Sequence, residues 1–115
     1  MTPEDKQQLV SALKNAEIAA ITADPGQDAD GGTCNFDKPA IRIPNIRKAT
    51  MQEIAQASGI TLHPFHWLGN KVWYWVGTSA NGQAHRRTTM MQAAVNVLKD
   101  ESPDGILVNG YYQMD

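Results

Sequence analysis

The spacing of apolar positions along the chain predicts three helices. Thr2 followed by Pro3 indicates a helix start with Thr2 as the N-cap, and the helix is predicted to end near Ala23, before the turn formers of residues 24–26. Residues at helical spacing are predicted to form its apolar face, with Glu17 at the edge of that face: Leu9 with Val10, Leu13, Glu17 and Ile21.

Capping signals and a second apolar stripe predict the other two helices. Thr50 followed by Glu53 matches the capping box, so the second helix is predicted to run from Thr50 to Ser58 with Gly59 as its C-cap. The third helix is predicted to begin near His85. Its apolar residues recur at i, i+3, i+4 and i+7: Met91, Ala94, Val95 and Leu98.

Extended and aromatic-rich segments predict four strands. Residues 34–43 (CNFDKPAIRI) predict an extended segment that is interrupted at Pro39. Residues 59–67 (GITLHPFHW) and 72–77 (VWYWVG) flank the short turn LGNK, which predicts a hairpin. Residues 106–114 (ILVNGYYQM) predict a final strand.

The predicted order is therefore α-β-α-β-β-α-β. It indicates one α+β domain over residues 1–115, with helices packed on a small, mainly antiparallel or mixed sheet. A chain of 115 residues with 42% hydrophobic side chains can bury a single core, and no apolar run approaches the roughly 20 residues of a membrane span. A lone cysteine, Cys34, fits a reducing cytoplasm, and a net charge of −2 leads us to expect no long nucleic acid as a partner. We also expect no membrane as a partner.

The start of the third helix carries positive charge, which is the unfavourable sign at that end of the helix dipole. An anion bound there would neutralise Arg86 and Arg87 and would accept hydrogen bonds from the unpaired N–H groups of the first turn. The alternative is that both arginines are solvated or pair with the loop that carries Asp28 and Asp30. The residues predicted to contact the anion follow the loop into the helix: Asn81, Gln83, His85, Arg86 and Arg87.

Two further groups of residues are candidates for ligand contacts. Trp73 and Trp75 flank Tyr74, so one strand carries large rings on both faces, and an exposed ring beside arginines suits stacking on a base or sugar. The alternative is that these tryptophans cover the sheet or a subunit interface. After Gly31-Gly32, three polar residues alternate and are predicted to share a face, either as ligand contacts or as an edge strand: Thr33, Asn35 and Asp37.

Metal and nucleophile chemistry receives little support. His63 and His66 are separated by Pro64, and no second pair has zinc-ligand spacing. A nucleophilic pairing of Cys34 with a histidine is possible on paper, but no paired catalytic constellation is visible. We therefore predict no catalytic residues, no metal and no cofactor.

Three short motifs resemble those of small proteins encoded by phages and prophages: ADGGTCNFD, then NGQ followed by RRT, and YYQMD. The closest resemblance is to Thoeris anti-defence proteins, which sequester cyclic ADP-ribose signals. That resemblance implies a non-enzymatic homo-oligomer that binds a cyclic ADP-ribose isomer or a cyclic oligonucleotide.

The leading hypothesis is a phage-encoded counter-defence protein that sequesters a small phosphorylated ligand of the cyclic nucleotide type. The second is an anti-CRISPR-like inhibitor that contacts a host defence protein through exposed aromatic residues and arginine. The third is a small phosphodiesterase-like enzyme with His85 or His66 as acid or base.

Overall fold

A computed structural model describes residues 1–26, 37–79 and 84–112 and confirms the predicted order and the α+β class. The sheet contains four strands, and each pair of neighbours is antiparallel. The elements are α1 (Pro3–Thr22), β1 (Lys38–Arg42), α2 (Lys48–Ser58), β2 (Thr61–Trp67), β3 (Lys71–Gly77), α3 (Ala84–Glu101) and β4 (Leu107–Tyr111).

The strands are arranged in the order β2-β3-β1-β4. The predicted hairpin is confirmed, since β2 pairs with β3 over its whole length and three residues with positive φ, 68–70, join the two strands. The predicted interruption at Pro39 is wrong: Pro39 lies inside β1, opposite Gly110. In the described part of the chain, β1 pairs with β3 only at Ala40 and Ile41, so Pro39 lies where β1 has already separated from β3. A residue without an N–H fits at such a position.

The helix α1 begins as predicted but buries a different face. Thr2 accepts a hydrogen bond from the Asp5 N–H, and the Asp5 carboxylate accepts one from the Thr2 N–H, which completes a capping box. Ile21 is 56% exposed, against the prediction, because each step of four residues drifts about 40° around a helix. The residues that α1 buries follow the 3.6-residue period: Leu9, Ala12, Leu13, Ala16 and Ala20.

The helix α2 begins two residues earlier than predicted. It starts at Lys48, with Arg47 at the N-cap and no side-chain capping bond, so the capping box expected from Thr50 and Glu53 is wrong. Gly59 does end the helix, with a left-handed φ of 71°. The apolar stripe predicted for α3 is confirmed, since all four of its members are buried.

The helices cover one face of the sheet. Ile41, Tyr74 and Val76 project from the central strands into the same buried cluster as Leu13 of α1 and Ile54 of α2. Side chains alternate between the two faces of a strand, so the odd-numbered residues of β2 and β3 point away from this core. The second face is where the functional candidates lie.

Candidate functional site

The sheet face opposite the helices carries a cluster of rings, which we call the aromatic face. Neighbouring rings lie 4.5–5.8 Å apart between centroids, some stacked and some edge-to-face. Its members come from three strands: His63, Phe65, Trp67, Trp73, Trp75 and Tyr111. Each such pair contributes about 0.5–1.5 kcal/mol beyond the burial of its apolar area, so the cluster orders its own side chains.

Trp75 lies at the centre of the aromatic face. Its ring stacks on Phe65 at 4.5 Å and on His63 at 5.5 Å, and the Lys38 ammonium lies 4.5 Å from the ring centroid. A cation so placed is attracted by the ring quadrupole. Lys38 is thereby held beside Trp75 as a positive charge on an otherwise apolar surface.

The charge of the sheet differs from that of the whole chain. The chain has a net charge of −2, yet the four strands contain no Asp or Glu and carry Lys38, Arg42 and Lys71. Within the described ranges, the acidic residues lie in the helices and loops. An anion that approaches the sheet therefore meets local positive charge.

A cavity of about 400 Å³ opens where β1 and β3 separate beyond Ala40 and Trp75; we call it the strand-gap cavity. Arg87 reaches it from the first turn of α3, so two cations from different elements share one cavity. Its lining is formed by Lys38, Pro39, Thr61, His63, Trp75, Val76, Gly77, Thr78 and Arg87.

Two polar atoms of the lining residues lack a partner. Trp75 Nε1 and Thr78 Oγ1 are buried and have no hydrogen bond to any part of the chain that the structure describes. A buried polar group left unsatisfied costs about 1–3 kcal/mol, so a hydrogen bond to either atom would be favourable. Both atoms belong to residues that line the strand-gap cavity.

Arg86 is held by an aspartate at the end of α1. Its Nε and Nη2 each donate to one oxygen of Asp24, at 2.9 Å in both cases, in a bidentate pair. The Asp24 carboxylate also accepts the N–H of Gly26. The hydrogen bond from Arg86, followed by that from Gly26, lowers the pKa of Asp24 from 3.8 to about 2. The positive charge of Arg86 is thus balanced by a carboxylate of this chain.

Arg87 and its neighbour Thr88 secure the start of β1. Arg87 Nε donates to the Asp37 carbonyl at 3.0 Å, and the Thr88 hydroxyl donates to the Asp37 carboxylate at 2.8 Å. Asp37 is only 3% exposed. These bonds fix Asp37 against α3 and place Lys38, the next residue, at the mouth of the strand-gap cavity.

The structure brings some of the predicted ligand contacts together and separates others. Trp75 and Arg87 line the strand-gap cavity. Trp73 shares the aromatic face but stands beside Trp67, with a ring distance of 5.0 Å, and does not line the cavity. His85 is exposed, 3.5 Å from the Thr89 hydroxyl. Four predicted contacts lie outside the described residues: Thr33, Asn35, Asn81 and Gln83.

Two residues of the site region escaped the sequence analysis, and a third, Glu17, makes a contact that it did not predict. Lys38 and Thr78 line the cavity, and Glu17 accepts two bonds from the Ser79 N–H, at 2.9 and 3.0 Å, which ties the end of the β3 segment to α1. The alternation along β1 could have placed Lys38 on the same face as the tryptophans. No local pattern indicates the contact between Glu17 and Ser79, which are 62 positions apart.

Comparisons of the chain with protein-family models, with curated proteins and with solved structures find no match. Within the described ranges, no three His, Cys, Asp or Glu side chains are grouped so as to hold a metal ion. None of the three described helices is both long and apolar enough to cross a membrane.

Proposed function

We propose that this chain is a binding protein for a small phosphorylated ligand with a heterocyclic ring, of the cyclic nucleotide type, and that the strand-gap cavity is its site. In this proposal Arg87 and Lys38 bind the phosphate, and Trp75 and Thr78 hydrogen-bond the rest of the ligand. The exposed ring of His63 offers a stacking surface at the edge of the cavity.

One observation carries the proposal: two cations and two unpartnered buried polar atoms belong to residues that line the same cavity. A volume of about 400 Å³ lies within the ~300–1,000 Å³ of ligand pockets. An arginine and a lysine from separate elements suit an anion with several oxygens, because the two groups approach it from different directions.

The ligand class follows from chemistry together with the motif resemblance. A nucleotide carries a phosphate and a base, so cationic side chains beside aromatic rings fit it better than they fit a simple sugar phosphate. The resemblance to Thoeris anti-defence proteins makes cyclic ADP-ribose isomers the first ligands to test and a counter-defence role the biological setting. Arg86 has a smaller part in this proposal than the sequence analysis gave it, because its fork engages Asp24.

The test is a binding screen followed by matched variants. Thermal shift would rank cyclic ADP-ribose isomers, cyclic dinucleotides and linear ADP-ribose, and calorimetry would give Kd for those that stabilise the protein. We expect Arg87→Gln and Lys38→Gln each to raise Kd about 10- to 100-fold, the loss of one hydrogen bond to a charged group. Trp75→Phe, which keeps a ring and removes Nε1, should weaken binding about fivefold.

Two variants serve as controls. Lys14→Gln removes an exposed positive charge from α1, away from the cavity, and should leave Kd unchanged. Arg87→Lys keeps the charge and loses the fork, so its Kd should fall between those of the wild type and Arg87→Gln. The proposal fails if none of the nucleotides binds, or if Arg87→Gln and Lys38→Gln both bind like the wild type.

A second candidate function, docking on a host protein, is favoured by the half-buried rings of the aromatic face and by an exposed apolar side chain at its rim. Leu107 at its rim is 51% exposed, and buried Trp73 Nε1 has no partner in the described part of the chain. Such a surface resembles the aromatic centre of a protein interface. A stoichiometric partner captured by the wild type and lost with Trp67→Ser, while Lys38→Gln still captures it, would favour this function over the first.

A further inference from the structure

A second cavity lies on the opposite side of the sheet, between α2 and the β2–β3 hairpin; we call it the α2 groove. Its volume is about 500 Å³. Ala55 of the short helix α2 lines it together with Leu62 and Val72 of the sheet, and the small side chain of Ala55 fills little of the space. Val72 is 39% exposed at its open end.

The lining of the α2 groove is mainly aliphatic. Met51 and Ile46 complete the wall formed by α2 and the segment before it, and Tyr74 forms part of the floor. Unlike the strand-gap cavity, it has no buried polar side-chain atom without a partner among the described residues that line it. The interior therefore suits an apolar ligand that forms few hydrogen bonds.

The charged side chains of the groove all have one sign. Arg42 and Lys48 line it, and no acidic side chain does so among the residues that the structure describes. Arg42 also donates Nη1 to the Val72 carbonyl at 3.1 Å, which fixes its guanidinium near the open end. The first turn of α2 contains no acidic residue, so no acid there offsets the positive charges of Arg42 and Lys48.

We propose that the α2 groove binds a free aliphatic carboxylate, with its hydrocarbon chain between α2 and the hairpin and its carboxylate beside Lys48 and Arg42. An aliphatic interior with cations on one side matches a molecule that is apolar along its length and carries one negative charge at its end. The groove shares no lining residue with the strand-gap cavity, so this proposal stands apart from the proposed function.

The test compares octanoate with octanol, which have the same chain length and differ in charge. Calorimetry should show octanoate binding at least tenfold more tightly than octanol. Amide chemical shifts in NMR spectra should change at Ala55, Leu62 and Val72. The proposal would be overturned by chemical-shift changes confined to the aromatic face, by equal affinity for the two probes, or by no binding of octanoate.

Two surface variants of the groove keep the test independent of folding defects. Lys48→Gln removes one cation and should weaken octanoate binding about three- to tenfold with little change for octanol. Gln52→Glu places a negative charge of similar side-chain size at an exposed lining position, so it should also weaken the binding of octanoate selectively. Lys14→Gln and Lys38→Gln are controls that should leave octanoate binding unchanged. If neither groove variant weakens octanoate binding selectively, the placement of the carboxylate is refuted, whatever the outcome for nucleotides.

Discussion

The buried Asp37 carboxylate and the Thr88 hydroxyl provide a quantitative test of how the start of α3 is attached to β1. The two groups form a 2.8 Å hydrogen bond, and Asp37 is 3% exposed, so water cannot readily replace the hydroxyl. Thr88→Val keeps the side-chain shape and removes the donor. A hydrogen bond to a charged group contributes about 1.5–3 kcal/mol, and Thr and Val have similar helix propensities, so the free energy of unfolding should fall by about that amount.

For a domain of this size, 1 kcal/mol corresponds to a Tm change of roughly 3–6 °C, so we expect Thr88→Val to lower Tm by about 5–15 °C. The assay is thermal unfolding by circular dichroism at pH 7, with urea unfolding for the free energy. Thr88→Ser keeps the hydroxyl and should lie much closer to the wild type. A Tm for Thr88→Val within about 1 °C of the wild type, or an equal loss for both variants, would refute the reasoning.

Three further predictions concern contacts between elements. The bond with Arg86 lowers the pKa of Asp24 from 3.8 to about 2, so Asp24 adds stability that is present above about pH 4 and is lost as the pH falls towards 2. Urea midpoints measured from pH 2 to 5 should show this loss in the wild type and not in Asp24→Asn. Parallel profiles for the two proteins would contradict the prediction. Gly59→Ala should lower the free energy of unfolding in urea by about 1 kcal/mol, because the space around Gly59 is open and only its φ of 71° disfavours alanine. Gly59→Asn should lower it by less, and equal stabilities of the two variants would contradict the account. The ion pair of Lys6 with Glu53 is exposed, so Glu53→Gln should change the free energy of unfolding by less than about 1 kcal/mol in the same assay. A larger loss would show that the pair is coupled to the core.

The order of elements and part of the packing were predictable from the sequence alone, because they depend on residues a few positions apart. The i, i+3, i+4, i+7 stripe of α3, the hairpin around residues 68–70, and the α-β-α-β-β-α-β order all follow from local periodicity and turn chemistry. The face buried by α1 did not follow from steps of four residues, since Ile21 had drifted out of the core. Thr50 and Glu53 matched a cap, but α2 begins earlier.

The partners of the charged residues were decided only by the tertiary structure. Arg86 and Asp24 are 62 positions apart, and Arg87 and Asp37 are 50 apart, so neither pair leaves a pattern in a short window of sequence. The sequence showed two cations at an unfavourable helix end, which called for negative charge nearby. The packing of α1 and β1 around α3 supplied one aspartate for Arg86 and a backbone carbonyl for Arg87. The same packing brought Arg87 of α3 to the strand-gap cavity that Trp75 of β3 also lines, an arrangement that no local pattern indicates.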